Sequence, residues 1–437
     1  MRRSMQATAL MTTALLALTA CGSGGGSGAS QPQEQQTASA TTADPSSVSG
    51  ELTWWDTSDA ANEAPVFKQM IAEFNKTYPN VKINYQSVPF AEAQNKFKTA
   101  AAAKSGAPDI LRAEVAWVPE FASLGYLYKL DGTSLTQDMD DWMTAPKGST
   151  QFNGGTYGVP QVTDTLALLY NKKLLNDAGV QPPKTWDEMK TAAATIKSKT
   201  GKEGAYLNPA GYYLLPFIYG EGGDLLDVAN KKITVNAAPA VAGVTKAQEL
   251  LAASGFVKPP ATEAYTAMTD AFNAGNVGMI LQGPWEVAGI TKAKGFGGAE
   301  NLGVAPVPGG SQRAGGPVGG HDYVVYSGMD ESKADAAMAF ISFMSSADTQ
   351  AKIADQLGLL PARTSAYDKV TNPIIKEFQP AMDVAVERAW IPQGGQLFGP
   401  LDQAATKLMV NRANPQATLD EVAQKYKSEV VTDYTLD

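Results

Sequence analysis

Two periodicities alternate along most of the chain. "ELTWW" (Glu51–Trp55) is a short apolar run, and "VKINYQS" (Val81–Ser87) puts Val81, Ile83 and Tyr85 at a spacing of two. Both predict strands. Between them, Asn62–Pro79 carries Val66, Phe67, Met70, Ile71 and Phe74 on one helical face, and Pro79 stops the helix. The pattern continues with a helix up to Gly106, a short buried strand "PDIL" (Pro108–Leu111), a strand "TLALLYN" (Thr165–Asn171), a helix ending at Gly179 and a buried strand "VGMIL" (Val277–Leu281). Thr185 and Glu188 form a capping box that opens a helix to about Ser198, and Thr418 with Glu421 repeats that pattern near the C-terminus. Such alternation predicts an α/β protein of parallel, doubly wound sheets with helices on both faces.

The first fifty residues do not follow this pattern. Arg2 and Arg3 precede an apolar run, Ala7–Ala20, which is too short to span a bilayer as a mature helix. Positive residues, an apolar run and small residues before a boundary describe a secretory signal, expected over residues 1–20. "LTAC" (Leu18–Cys21) resembles a bacterial lipobox, which implies lipidation of Cys21, the only cysteine. Gly22–Gly50 is rich in Gly, Ser, Gln and Thr and lacks aromatic and basic residues. It is too polar to pack and reads as a tether with a reach of ~30 Å. The expected order is therefore signal, lipid anchor with linker over residues 21–50, and a folded body from about Glu51.

Composition narrows the chemistry. Apolar residues make up 44% and charged residues 18%, which suits a sizeable core. A net charge of −9 argues against nucleic-acid partners and against basic docking on lipid, so the membrane enters only through the anchor. One Cys and one His exclude a disulfide framework and a Cys/His zinc site. No metal or cofactor is expected. The body lacks G-x-S-x-G and P-loop motifs, and the glycine tract Gly309–Gly320 precedes strand-like "YVVY" rather than a helix. A glycosidase-like pair of carboxylates stays open on composition alone.

Candidate binding residues cluster where ligands bind in open α/β sheets, beyond the carboxyl ends of strands. Asp56, Thr57, Ser58 and Asp59 follow "LTWW". Arg112, Glu114 and Trp117 follow "PDIL". Gln282, Trp285 and Glu286 follow "GMIL". Carboxylate, amide and guanidinium groups can hydrogen-bond hydroxyls, and flat rings can cover the C–H faces of a pyranose. Each has a plainer reading: Asp59 as a helix cap, Arg112 with Glu114 as a surface pair, Trp117 and Trp285 as core residues.

The ordered set "LTWWDTS", "GAPDILRAEVAWVPEFASLGYLYKLD", "YGVPQVTDTLALLYNKKLL", "PPKTWDEM", "AFNAGNVGMILQGPWE" and "IPQGGQLFGPLDQA" resembles the extracellular solute-binding proteins of sugar ABC importers. It spans nearly all of Glu51–Ser428 and is most similar to the maltose and maltodextrin branch. The resemblance implies a two-lobed, type II periplasmic-binding-protein-like fold with a ligand cleft. The N-terminal lobe is expected over 51–162 plus 322–370 and the C-terminal lobe over 163–321 plus 371–437. Crossings are expected near Gln161–Asp164, Val318–Tyr323 and Tyr367–Ile375. It implies a monomeric, non-enzymatic receptor, lipid-anchored on the outer face of the cell membrane, that delivers an oligosaccharide to an ABC permease. Maltose and maltooligosaccharides lead, with trehalose and other α-glucosides behind. By motif position it implies sugar contacts from Asp56, Ser58, Asp59, Arg112, Glu114, Trp117, Asp164, Tyr212, Trp285, Glu286 and Phe398. Tryptophan is common in the family where this chain has Phe398, and "LRAEVAW" departs from the enteric pattern. Gly320 and His321 fall at a hinge by the same resemblance, with a hinge role alone preferred over contact with sugar.

Overall fold

The computed structural model of the protein describes residues 44–436. The expected signal segment, Cys21 and most of the expected tether lie outside the described residues. Ten strands position the site: β1 (Gly50–Asp56), β2 (Val81–Ser87), β3 (Ile110–Glu114), β4 (Val159–Thr165), β5 (Ala167–Asn171), β6 (Glu203–Tyr206), β7 (Val277–Gln282), β8 (Leu302–Pro306), β9 (Val318–Val325) and β10 (Leu360–Pro361).

They form two sheets. One has six strands in the order β10-β4-β9-β3-β1-β2, and the other has four in the order β8-β5-β7-β6. β1 runs parallel to β2 and β3, while β9 is antiparallel to both β3 and β4. In the smaller sheet β7 is parallel to β6 and antiparallel to β5. The sheets are therefore mixed rather than all parallel. The strands that run from one sheet toward the other enter against the direction of their neighbours. β4 ends at Thr165 and β5 begins in the other sheet at Ala167, so the chain passes between sheets at Leu166.

Each sheet has its own core. Trp54 on β1 is fully buried and meets Phe67, Tyr85, Tyr323 and Phe340 edge-on at centroid distances of 5.4–5.9 Å. The helix Ala64–Thr77 supplies Phe67, Met70 and Phe74 to that core, at the spacing its sequence predicts. Around the smaller sheet, Trp186 stacks on Phe217 at 4.1 Å within a second large cluster.

Local signals account for most helix ends. Asn171 caps the next helix and Gly179 ends it with φ +70°. The Thr185 hydroxyl accepts from Glu188 N–H and opens a helix that runs to Thr200. The C-terminal capping box is not formed. Thr418 lies inside the helix Pro415–Lys425, and Asn414 is the cap, accepting from Ala417 N–H with Pro415 behind it. Proline at the first helical position, whose missing N–H is harmless there, moves the start upstream.

Candidate functional site

The carboxyl end of β1 is a closed polar network. The Asp56 side chain is fully buried and accepts from the Tyr85 hydroxyl at 2.6 Å, from Ser58 N–H at 3.2 Å and from the Ser58 hydroxyl. The Arg112 guanidinium lies 3.9 Å from it and donates to Gln161 Oε1 at 2.6 Å. Thr57 closes the ring by donating to the Arg112 carbonyl. These groups bond to one another, with only Gln161 Nε2 left over, which suits a rigid floor, since losing one partner of a buried ion pair costs ~3–5 kcal/mol. Asp59 is exposed, and its Oδ1 accepts from Ala61 and Asn62 N–H at 3.0 and 2.6 Å, so it ties the turn before the helix.

β3 extends beyond "PDIL", so Arg112 and Glu114 are strand residues rather than loop residues. They do not pair with each other. Glu114 instead binds Arg388 and accepts from Ala116 N–H. Trp117 opens the helix Trp117–Ser123 and is 5% exposed, packed in a cluster with Val118 and Phe121.

Asp164 sits where β4 and β9 face each other, opposite Gly319. A Cβ at Gly319 would overlap both the Asp164 carboxylate and the Tyr212 hydroxyl, so only glycine lets the three meet. Gly320 has φ +132°, which side-chain-bearing residues rarely adopt. Burial pushes the Asp164 carboxyl up to about 7, partly offset by Arg388 and reinforced by Glu114. Tyr212 donates to the Pro317 carbonyl at 3.2 Å.

Trp285 follows β7. Its indole N–H donates to the Tyr265 hydroxyl at 2.9 Å, and Tyr265 in turn donates to Glu286. Glu286 is raised by burial, offset by that hydrogen bond. Trp285 is partly buried and packs against the cores of both sheets.

Arg388, Trp390 and Glu63 were not anticipated. Arg388 has a side chain only 8% exposed, and its guanidinium lies 5.7, 5.5 and 5.7 Å from the rings of Tyr212, Trp390 and Phe398. It also donates to the Val318 carbonyl at 2.8 Å. One basic residue inside the aromatic stretch "ERAWIPQGGQLF" is the signal that could have found Arg388 and Trp390. Glu63 is 4% exposed, and burial raises its carboxyl although Arg112 opposes this. No spacing marks it. His321, expected at a hinge, lies on β9. Its two ring nitrogens are buried and unpartnered in the protein, as are Glu63 Oε1, Gln161 Nε2 and Gln282 Nε2. Buried polar atoms are rarely left so.

Among the described residues no group of His, Cys, Asp and Glu could hold a metal ion, and no helix is long and apolar enough to cross a membrane. What converges where the two sheets meet is carboxylates, two guanidinium groups and several rings.

Residues 60–351, more than half of the chain, match the family model for the bacterial extracellular solute-binding protein, and the chain belongs to that family. The GacH receptor of Streptomyces glaucescens, solved unliganded and with acarbose, is 42% identical, with a TM-score of 0.84 over 89% of this chain and 100% of that one. A maltotriose-binding protein of Pyrococcus abyssi is 23% identical over 88% of this chain and 82% of its own length. A maltooligosaccharide ABC transporter solute-binding lipoprotein of Streptococcus pneumoniae is 27% identical over 73% of this chain and 77% of its own. The chain is thus a two-lobed α/β binding protein of the sugar-transport class, not an enzyme.

Proposed function

We propose that this chain is the receptor of an ABC importer that captures maltooligosaccharides in the cleft between its lobes and delivers them to a permease. The observation that carries the reading is the set of partly buried rings, Trp285, Tyr212, Trp390 and Phe398, interleaved with carboxylates and unpartnered polar atoms at the junction of the two sheets. Rings cover the apolar faces of pyranoses, and the polar atoms take their hydroxyls. We place sugar contacts at Asp59, Glu114, Asp164, Tyr212, Trp285, Glu286 and Phe398. Asp56, Ser58, Arg112 and Trp117 support the site from beneath. We place the lobes at 51–162 with 322–370 and 163–321 with 371–437, the bounds at 162 and 322 falling within β4 and β9, the strands that lead from one sheet to the other. Ligand touching both favours closure only by its greater affinity for the closed state. Residues 1–50 supply export and a lipid anchor at Cys21.

A second ligand class has its own support. The likeness to the GacH receptor, together with Asp59, Glu63, Glu114, Asp164 and Glu286 against Arg112 and Arg388, favours amino-containing analogues of α-glucans such as acarbose. Tryptophan fluorescence titration with glucose, maltose, maltotriose, maltotetraose, acarbose, trehalose, cellobiose and xylobiose tests both readings. Saturable changes confined to the α-glucans and acarbose are expected. A response to cellobiose or xylobiose alone overturns the assignment.

A further inference from the structure

The aromatic residue with the largest open face in this region is not among those the motifs mark. Phe90 opens the helix Phe90–Ala102 directly after Pro89 and is 50% exposed, the highest value among the exposed large hydrophobics of the described residues. Its ring is nonetheless held. It lies tilted at 30° against Trp117, with centroids 5.2 Å apart, and Trp117 is itself anchored in the core. The imidazole of His321 approaches edge-on at 6.1 Å and 73°. His321 reaches this place from β9, where it is registered opposite Glu114 of β3.

Its two nitrogens have no protein partner although both are buried. A neutral imidazole offers one donor and one acceptor, and a sugar hydroxyl can bond to either nitrogen. Burial, Arg112 and Arg388 together pull His321 well below its ordinary range, which keeps it neutral at physiological pH. A rigid exposed ring beside an unmatched donor and acceptor combines the two elements of pyranose recognition.

We propose that Phe90 and His321 form an additional saccharide subsite on the six-stranded-sheet side of the cleft. Phe90 covers the apolar face of one pyranose ring, and His321 hydrogen-bonds a hydroxyl of that same ring. The proposal rests on the reading of the cleft as an oligosaccharide site; it adds Phe90, which no motif marks, and gives His321 a sugar contact in place of a hinge role alone.

The test is calorimetric titration of maltose, maltotriose and maltotetraose into the wild type, Phe90→Ala, His321→Ala, His321→Gln, the Phe90→Ala/His321→Ala double variant and Trp285→Ala. Each alanine variant is expected to bind the tightest wild-type ligand about tenfold more weakly. The double variant should lose less than the product of the two single losses, because both residues touch one ring. His321→Gln, which keeps a donor and an acceptor, should recover part of the loss. Phe90 is exposed, so its variant should melt with the wild type. Both alanine variants binding all three sugars within about twofold of wild type, while Trp285→Ala fails to bind, would overturn the subsite and leave the cleft reading standing. A wild type that binds none of the three removes both.

Discussion

Asp164 shows how a single residue carries the account. Its carboxyl is raised from 3.8 to about 7, chiefly by burial. The folded state therefore holds this proton more tightly than the unfolded chain. Stability associated with Asp164 is complete below about pH 4, falls by at most ~1.4 kcal/mol per pH unit, and is lost by about pH 7. Asp164→Asn should flatten that slope. Melting temperatures measured from pH 4 to pH 8 should show the variant gaining on the wild type as pH rises, and parallel curves would contradict it. Gly319→Ala should be more damaging. Its Cβ would overlap the Asp164 carboxylate and the Tyr212 hydroxyl, so both melting temperature and sugar affinity should fall. Retained affinity in that variant would show that Asp164 and Tyr212 are not held where the ligand binds. Asp164 and Tyr212 were marked only through the family resemblance, and the structure brings both against Gly319. Glu63 was not marked, because nothing local distinguishes a buried charge from a solvated one, and Arg388 had only its setting in "ERAWIPQGGQLF" to mark it.

Elements were more legible than their edges. "VKINYQS" is a strand over the residues its alternation marks, and "ELTWW" and "VGMIL" are each extended by one or two residues. Misses occur where two local rules compete. At the C-terminal helix the Asn-Pro start at Asn414 prevails over the Thr418–Glu421 pattern. Asn414→Ala should therefore cost ~1 kcal/mol in urea denaturation, with Asn414→Asp close to wild type. An unaffected alanine variant would move the cap elsewhere. Strand direction was misjudged for another reason. Alternation shows that strands and helices take turns, but it does not show that β4 and β9 run antiparallel to each other between the sheets. That depends on pairings between residues far apart in sequence.

At the scale of the whole molecule, one ion pair joins distant parts of the chain. Glu114 ends β3, and Arg388 lies 274 residues later among the rings of Tyr212, Trp390 and Phe398. Helix Trp117–Ser123 adds a second link, where Gln396 donates to Glu120 at 2.9 Å. Removing one charge strands the other. Glu114→Gln and Arg388→Gln should each destabilise the protein, and their double-mutant cycle should give a coupling above ~1 kcal/mol. Additive effects would reduce the pair to a surface contact. The same junction is where the proposed cleft lies, so the pair belongs to both stability and closure. The most direct test is calorimetry of the purified folded body with maltotriose, beside Trp285→Ala and Asp164→Ala. The account predicts saturable binding of one sugar chain per protein, abolished or greatly weakened in both variants while each still melts cooperatively. Wild-type affinity in both variants, or no binding by the wild type to maltotriose or any other α-glucan, would contradict it.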